Sequence, residues 1–459
     1  MQSLTQQFSR KVVRFLTSQE HRKQIISVSV VAFVGAFTLA LSRAAVFSVT
    51  MEPESGSLQN NAQSIDDTTA SGQKYIQFST KTITSTEAFH TCYPDAFCDS
   101  QNNPVILSGF NMRDIGSDTY MTSYSSLAQL QKIKSKGFNL VRLAMRWEDF
   151  QPNQGTGGFD TAKFNKLRTI VNNAKSTGVY VVLDPIHGTG RGKDCTVSES
   201  HIPAWAQAYD SSGMCLERIG GINKNVKDYI QKIATEYKDE SNVVAIDLAN
   251  EVQSINYTDD VELLTMYNKL IGYVREIDAD KILMIEPQAG ERILSASAIA
   301  STITNKSNIV YSYHDYHGGV HDAAGNVKSG CQLDGYNSSG SSCSNRNSVD
   351  AGGTGYINPT KDKAVLENRI ARNLNNLATP GVQLPLYIGE YNAYEGLANA
   401  DQWRKDMVAL FKKYKLSRTH WVFYNQGYNQ GDFGHTATDW TSSTNKTPGA
   451  WRPWVDDLL

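Results

Sequence analysis

The sequence predicts an α/β fold, a (β/α)8 TIM barrel preceded by an N-terminal membrane segment and a short polar linker. Three observations carry that reading. Short apolar, β-rich runs recur along the chain, segments of helical period fill the gaps between them, and polar or aromatic residues collect where most of the runs end. The runs are 105–111, 139–146, 179–185, 243–250, 281–286, 309–315, 384–390 and 419–424. Strands covered on both faces must be apolar almost throughout, as these are. Helical segments are expected around 123–136, 160–177, 223–240, 260–279, 291–304, 361–378 and 399–415, with a short apolar tail after them. So many strands with interleaved helices in about 350 residues suit a closed barrel. An open doubly wound sheet normally needs fewer strands. Gly188-Thr-Gly-Arg-Gly resembles a phosphate loop only superficially, since no helix opens directly on it.

The regions ahead of the barrel read in order. Residues 1–24 form a basic leader with Arg10, Lys11, Arg14, Arg22 and Lys23, and residues 25–41 then carry no charge. Basic residues before an apolar run hold that end in the cytoplasm and send the rest of the chain across the membrane. Small residues at Ala40-Leu41-Ser42 fit a cleaved signal peptide. An apolar stretch continued to residue 47 fits an uncleaved anchor, and the long leader favours the anchor. Either way the remainder is expected outside the cell or at its surface. Residues 48–90 are rich in Ser, Thr, Gln and Asn and read as a linker with some strand character.

The six cysteines agree with export. Cys92/Cys98, Cys195/Cys215 and Cys331/Cys343 form three sequence-local couples without CxxC spacing, which suits disulfides in an oxidising compartment. Asn-x-Ser/Thr sites occur at Asn256, Asn305, Asn337 and Asn445. A formal charge of -2 without a basic stripe argues against a nucleic-acid partner.

In this barrel type catalytic groups sit at the C-terminal ends of the strands. Run 139–146 carries Arg142. Run 179–185 leads into His187, and run 243–250 ends in Asn250 before Glu251. Run 309–315 holds His314 and precedes Tyr316, run 384–390 ends in Glu390, and run 419–424 contains Trp421. Two glutamates from separate strand ends are what glycoside hydrolysis requires. One protonates the departing oxygen while the other meets the anomeric carbon, ~5–5.5 Å away in retaining enzymes. Any single glutamate among 46 acids is by default a solvated surface group. Asn-Glu after one strand and Gly-Glu after another is a much rarer conjunction.

Taken as an ordered set, Asn250-Glu251, His314-Asp315-Tyr316, Ile388-Gly389-Glu390 and Trp421 resemble the family-5 glycoside hydrolases, the cellulase family, over roughly residues 100 to 455. The resemblance implies a retaining β-glycosidase with Glu251 as general acid/base and Glu390 as nucleophile. It implies that Arg142 and Tyr316 hydrogen-bond the nucleophile, that His187 and Asn250 hold sugar hydroxyls, that Trp421 stacks beneath the sugar, and that His314 sits near the acid/base. It further implies a β-linked oligo- or polysaccharide partner, by family frequency a β-1,4-glucan cleaved internally, with a mannanase or another β-glycanase as alternative. A monomeric catalytic domain over 91–459 without cofactor or metal is expected. Residues 51–56 and 70–76 also resemble the opening of certain β-sandwich carbohydrate-binding modules, as a remnant, because closing two sheets takes about 100 residues.

Two insertions, 188–222 and 317–358, and the loop after the last strand carry aromatic rings (Trp205, Tyr209, Tyr336, Tyr356, Tyr428, Phe433 and Trp440) placed to shape a cleft. Three rival readings compete with a glycosidase. His314, His317 and His321 cluster, but a metal hydrolase on this barrel typically adds paired histidines on the first strand, which offers only Asn111 and Asp114. No G-x-S-x-G occurs, against a serine hydrolase. A tethered barrel that only binds sugar would have no use for the carboxylate pair.

Overall fold

The computed structural model describes residues 62–66, 74–78, 89–187, 201–206, 225–252, 260–287, 293–315, 359–392, 400–424, 438–440 and 448–459. The chain divides into two units, Met1–Thr82 and Ile83–Leu459. In the first, Ala62–Asp66 and Lys74–Phe78 pair as an antiparallel hairpin, the strand character expected of the linker region. The leader and the apolar segment at 25–47 lie outside the described residues. Among the described residues no helix is long and apolar enough to cross a membrane.

The second unit is a closed parallel barrel of eight strands. They are β1 Ser108–Ile115, β2 Leu140–Met145, β3 Tyr180–Asp184, β4 Val243–Asp247, β5 Ile282–Ile285, β6 Ile309–Asp315, β7 Leu386–Tyr391 and β8 Arg418–His420. Every expected strand is present and neighbours its predecessor, with β8 closing on β1 through Arg418↔Ser108. Helices α1 Leu127–Ser135, α2 Thr161–Thr177, α3 Lys227–Tyr237, α4 Asp260–Arg275, α5 Ala296–Thr302, α6 Pro359–Leu377 and α7 Ala400–Lys413 lie between them.

Local chemistry sets the boundaries. Helix α2 starts where the Asp160 side chain accepts the Lys163 N–H at 3.0 Å and stops at Gly178, whose φ of +68° suits glycine. The helix expected over 123–136 is broken. A π-turn at Tyr120–Tyr124 ends at Ser125, and α1 begins only after the extended Ser126. Strand β1 runs further than expected, because its polar end (Asn111, Arg113, Asp114) continues the strand to the barrel mouth. Strand β8 stops earlier, at His420, just before the cis peptide Trp421–Val422.

Side chains alternate between the two faces of each strand. Outward residues such as Val141, Leu143, Val181, Leu183, Leu283 and Ile285 join the large core beneath the helices. Inward residues form a second apolar layer low in the barrel: Leu140, Val182, Ala245, Met284, Val310 and Tyr387. Two residues further along, on the same inward face, the strands carry Arg142, Asp184, Asp247, Glu286 and Ser312, all fully buried. The switch from apolar to charged within one face marks where the core ends and the site begins.

A short hairpin, His90–Cys92 with Asp95–Cys98, packs into the apolar layer at the N-terminal end. Phe97 meets the Tyr387 ring edge-on at 6.0 Å, and Phe89 meets Tyr180 at 4.9 Å. Cys92 and Cys98 are bonded, as their spacing suggested. Cys195, Cys215, Cys331 and Cys343 lie outside the described residues. Phe97→Ala removes a fully buried ring from this plug. It is expected to cost about 3–5 kcal/mol of stability in denaturant titrations.

Candidate active site

Arg142 is the centre of the site. The guanidinium rises from β2 with no exposed surface and is met on all sides. Nη1 donates to Glu390 Oε1 and to Asn111 Oδ1, both at 3.0 Å. Nε donates to Asp247 Oδ2 at 3.0 Å, and Nη2 to Asn250 Oδ1 at 2.9 Å and Glu286 Oε1 at 3.0 Å. Asp184 Oδ2 stands 3.1 Å from Nη2. Five strands and the turn after β4 therefore aim at one planar fork, which no lysine could satisfy.

Glu390 and Glu251 come from β7 and from the turn after β4. One carboxylate oxygen from each of these residues and a ring nitrogen of His314 lie within 4.8 Å of one another. Nδ1 of His314 is 2.9 Å from Glu251 Oε1 and 3.7 Å from Glu390 Oε2. A register shift brings them together. Tyr313 pairs with Ile388 but His314 with Glu390, so Gly389 is the extra residue on β7. It must be glycine, since a Cβ there would lie 2.4 Å from Ser312 Oγ and 2.9 Å from His314 Nε2.

The turn bearing Glu251 is held at every residue. Leu248 N–H donates to Met284 O at 3.2 Å, Asn250 N–H to Ile186 O at 3.0 Å, and Tyr267 Oη on α4 to Ala249 O at 2.8 Å. Glu251 itself adopts φ +47°, the left-handed region that costs a side-chain-bearing residue energy. Its N–H donates to Glu286 Oε2 at 2.6 Å.

After the neighbouring β3, Asp184 Oδ2 lies 2.7 Å from His187 Nδ1, which fixes the ring and directs its other nitrogen away. The His187 ring stacks on Trp421 at 5.2 Å and 17°, and Trp421 is nearly buried at 8% exposure. Arg113 lies 6.0 Å from the indole centroid and pairs with Asp114 at 2.7 Å. Asn392 Nδ2 donates to Trp421 O and anchors the indole's backbone.

The structure thus brings together Arg142, His187, Asn250, Glu251, His314, Glu390 and Trp421. Tyr316, His317 and His321 lie outside the described residues, as do most of both insertions. From the first insertion, Trp205 packs on Trp147 and donates to Gln151 O at 3.0 Å, so it stabilises the wall beneath the loop. Sequence reasoning overlooked Asn111, Asp184, Asp247 and Glu286. The available signal was a single acid or amide near the end of each otherwise apolar run, two residues beyond an apolar one of the same face.

Electrostatics follow from crowding. Asp184, Asp247, Glu286 and Glu390 all face the one guanidinium. Burial pushes Asp247 and Glu286 above the usual carboxyl range, only partly offset by Arg142 and His314. Burial disfavours a charged His314, but the carboxylates of Glu286 and Glu390 overcome it and hold the ring well above the ordinary histidine value of 6.5. Two carboxylates and an imidazole at this spacing have the donor chemistry of a transition-metal site. The imidazole, however, already faces a carboxylate on each side, with Nε2 3.1 Å from Glu286 Oε1.

Comparison with known proteins fits this geometry. The family model for cellulase (glycosyl hydrolase family 5) matches residues 98–427, which include every site residue described above. The chain belongs to that family. Among curated relatives, endoglucanase gh5-1 of Neurospora crassa is 35% identical over 78 residues. Probable endo-beta-1,4-glucanase B of Aspergillus oryzae is 32% identical over 68 residues. These matches take in 17% and 15% of this chain, and the chain spans 20% of each relative. Among solved structures, endo-glycoceramidase II from Rhodococcus sp., a lactosyl-enzyme intermediate, is similar with TM-score 0.55 and 18% identity over 80% of both chains. The beta-glucanase SdGluc5_26A of Saccharophagus degradans in complex with cellotetraose has TM-score 0.53 and 16% identity, covering 83% of this chain and 95% of its own. At these identities the structures share the fold.

Two outcomes test the site's electrostatics. Asp247, and the coupled Glu286–His314 pair taken as one unit with its proton on the ring, hold protons to higher pH when folded than when unfolded. The native state therefore binds more protons, and stability must fall as pH rises. The melting temperature is expected to decline from about pH 5 to about pH 8, and a rise across that window contradicts the assignment. Arg142→Met leaves four acids facing one another and is expected to cost about 3–5 kcal/mol at neutral pH. The deficit should shrink as the acids protonate, read from denaturant titrations at two pH values.

Proposed function

We propose that this protein is a retaining endo-β-glycosidase acting on β-1,4-linked polysaccharide, with β-glucan as first choice. One observation carries the reading: an oxygen of Glu251 and an oxygen of Glu390 lie within 4.8 Å of each other at the charge-organised end of the barrel. So close an approach fits the ~5–5.5 Å between carboxyl groups of retaining enzymes, where one carboxylate attacks the sugar directly, better than the ~6.5–9.5 Å of inverting ones.

Glu390, oriented by Arg142, is the nucleophile. Glu251 gives its proton to the departing oxygen as the bond from Glu390 to the anomeric carbon forms. Once glycosylated, Glu390 has lost its charge, so Glu251 remains ionised more readily and takes a proton from the incoming water. Asn250 has its carbonyl oxygen committed to Arg142 at 2.9 Å, so it offers an amide N–H to a sugar hydroxyl. His187, locked by Asp184, offers its second nitrogen. Trp421 forms the floor. Family membership and the endoglucanase relatives support glucan over mannan. The cellotetraose held by the Saccharophagus enzyme supports a linear β-glucan chain as ligand. We further propose a location outside the cell or at its surface, a reading supported by the basic leader with its apolar run and by the Cys92–Cys98 bond.

The test is a panel of β-glucan, mannan, xylan and xyloglucan. Wild type should release reducing ends whose first-formed anomer is β by NMR. Glu390→Gln should reduce this to background while substrate binding persists, and Glu251→Gln should lower it by about 10²–10⁴-fold. First formation of the α-anomer rejects retention. Binding without hydrolysis by wild type would instead favour a barrel that only binds sugar.

A further inference from the structure

We infer that Glu286 on the end of β5 is a positioning residue for the acid/base, joining the Glu251 backbone to the His314–Glu251 side-chain contact. The inference rests on the proposed role of Glu251. Glu286 is fully buried, and each of its oxygens has a distinct task. Oε2 receives the N–H of Glu251 at 2.6 Å, where that residue's φ is +47°. Oε1 stands 3.0 Å from Arg142 Nη2 and 3.1 Å from His314 Nε2. The far nitrogen of the same ring contacts Glu251 Oε1 at 2.9 Å. Glu286 thus reaches Glu251 twice, directly at its main chain and through the imidazole at its carboxyl.

The chemistry of the contacts explains why an acid is needed. Arg142 and the Glu251 N–H are obligatory donors, and a doubly protonated His314 presents another. Only a carboxylate accepts from Arg142 and the Glu251 N–H while facing the His314 ring with negative charge; an amide must turn an NH2 group toward one of them. The left-handed turn at Glu251 is thereby held by a short charge-assisted bond, and the proton on His314 is retained by the Glu286 charge. Both effects fix where the Glu251 carboxyl sits and how readily it releases its proton. The groups facing this assembly are Arg142 on β2, Asp184 on β3, Asp247 and Glu251 on and after β4, His314 on β6 and Glu390 on β7.

A positioning role predicts a particular split in kinetics. An aryl β-cellobioside with a dinitrophenolate leaving group needs no proton from Glu251, whereas a soluble β-glucan does. Glu286→Gln is expected to lower kcat/KM on the glucan by about 10²-fold while lowering it far less on the aryl substrate. It should also move the alkaline limb of the glucan pH profile. Glu286→Asp keeps the charge but shortens the reach, and should show the same split if Gln fails to fold. Asp184→Asn, which removes another acid from Arg142 at a residue whose contacts are with Arg142 and His187, should reduce both substrates in equal proportion. Equal losses in the Glu286 variants with an unmoved pH limb would overturn the inference. NMR titration of the His314 ring reads the coupling independently of substrate. Its midpoint should drop when Glu286 is replaced, and an unchanged midpoint also rejects the role. If wild type cleaves neither substrate, the functional reading fails, while this titration still judges the coupling.

Discussion

The structure depends on the burial of one guanidinium among four carboxylates. Arg142 has no exposed surface, and its partners arrive from β1, β3, β4, β5 and β7 and from the turn after β4. Desolvating so many charges is costly, and such clusters are often no more stable than a packed apolar core. Arg142 contributes arrangement. A planar cation with five donors imposes one geometry on groups that would otherwise repel one another, and Glu390 is one of those groups. The barrel tolerates this because the apolar layer below and the helix-facing core outside supply the burial energy.

The two proposed catalytic carboxyls are treated differently by that constraint. Glu390 is held by Arg142 directly. Glu251 is held another way: its backbone rests on Glu286 and its side chain on His314. One acid is kept beside a permanent positive charge and the other beside a titratable one. The protonated ring and the crowded acids make the assembly a proton store, tying the stability of the fold to the ionisation of the site.

Much of this was legible in the sequence. All eight strands were visible as apolar runs, because strands buried on both faces must be apolar whatever surrounds them. Glu251, Glu390, Arg142, His187, Asn250, His314 and Trp421 were visible because strand ends are where this fold gathers its chemistry, and the structure assembles them. Asp184, Asp247 and Glu286 were not, although each breaks an apolar run. A lone acid in a strand has no meaning until its neighbours across the sheet are known. The Leu140-to-Arg142 and Met284-to-Glu286 steps show the rule at work: on the inward face, the residue two beyond the apolar layer belongs to the site.

By itself the sequence determined the order of strands and helices, since these follow from local composition and spacing, and it named the two acids proposed to react. Tertiary structure alone decided the distances. The register shift at Gly389 sets Glu390 level with His314, and the left-handed turn at Glu251 depends on an acid from the next strand. The shared guanidinium likewise exists only when the barrel closes. Each of these is a contact between residues far apart in the chain, fixed by how the strands stagger around the ring, and no local pattern encodes that stagger.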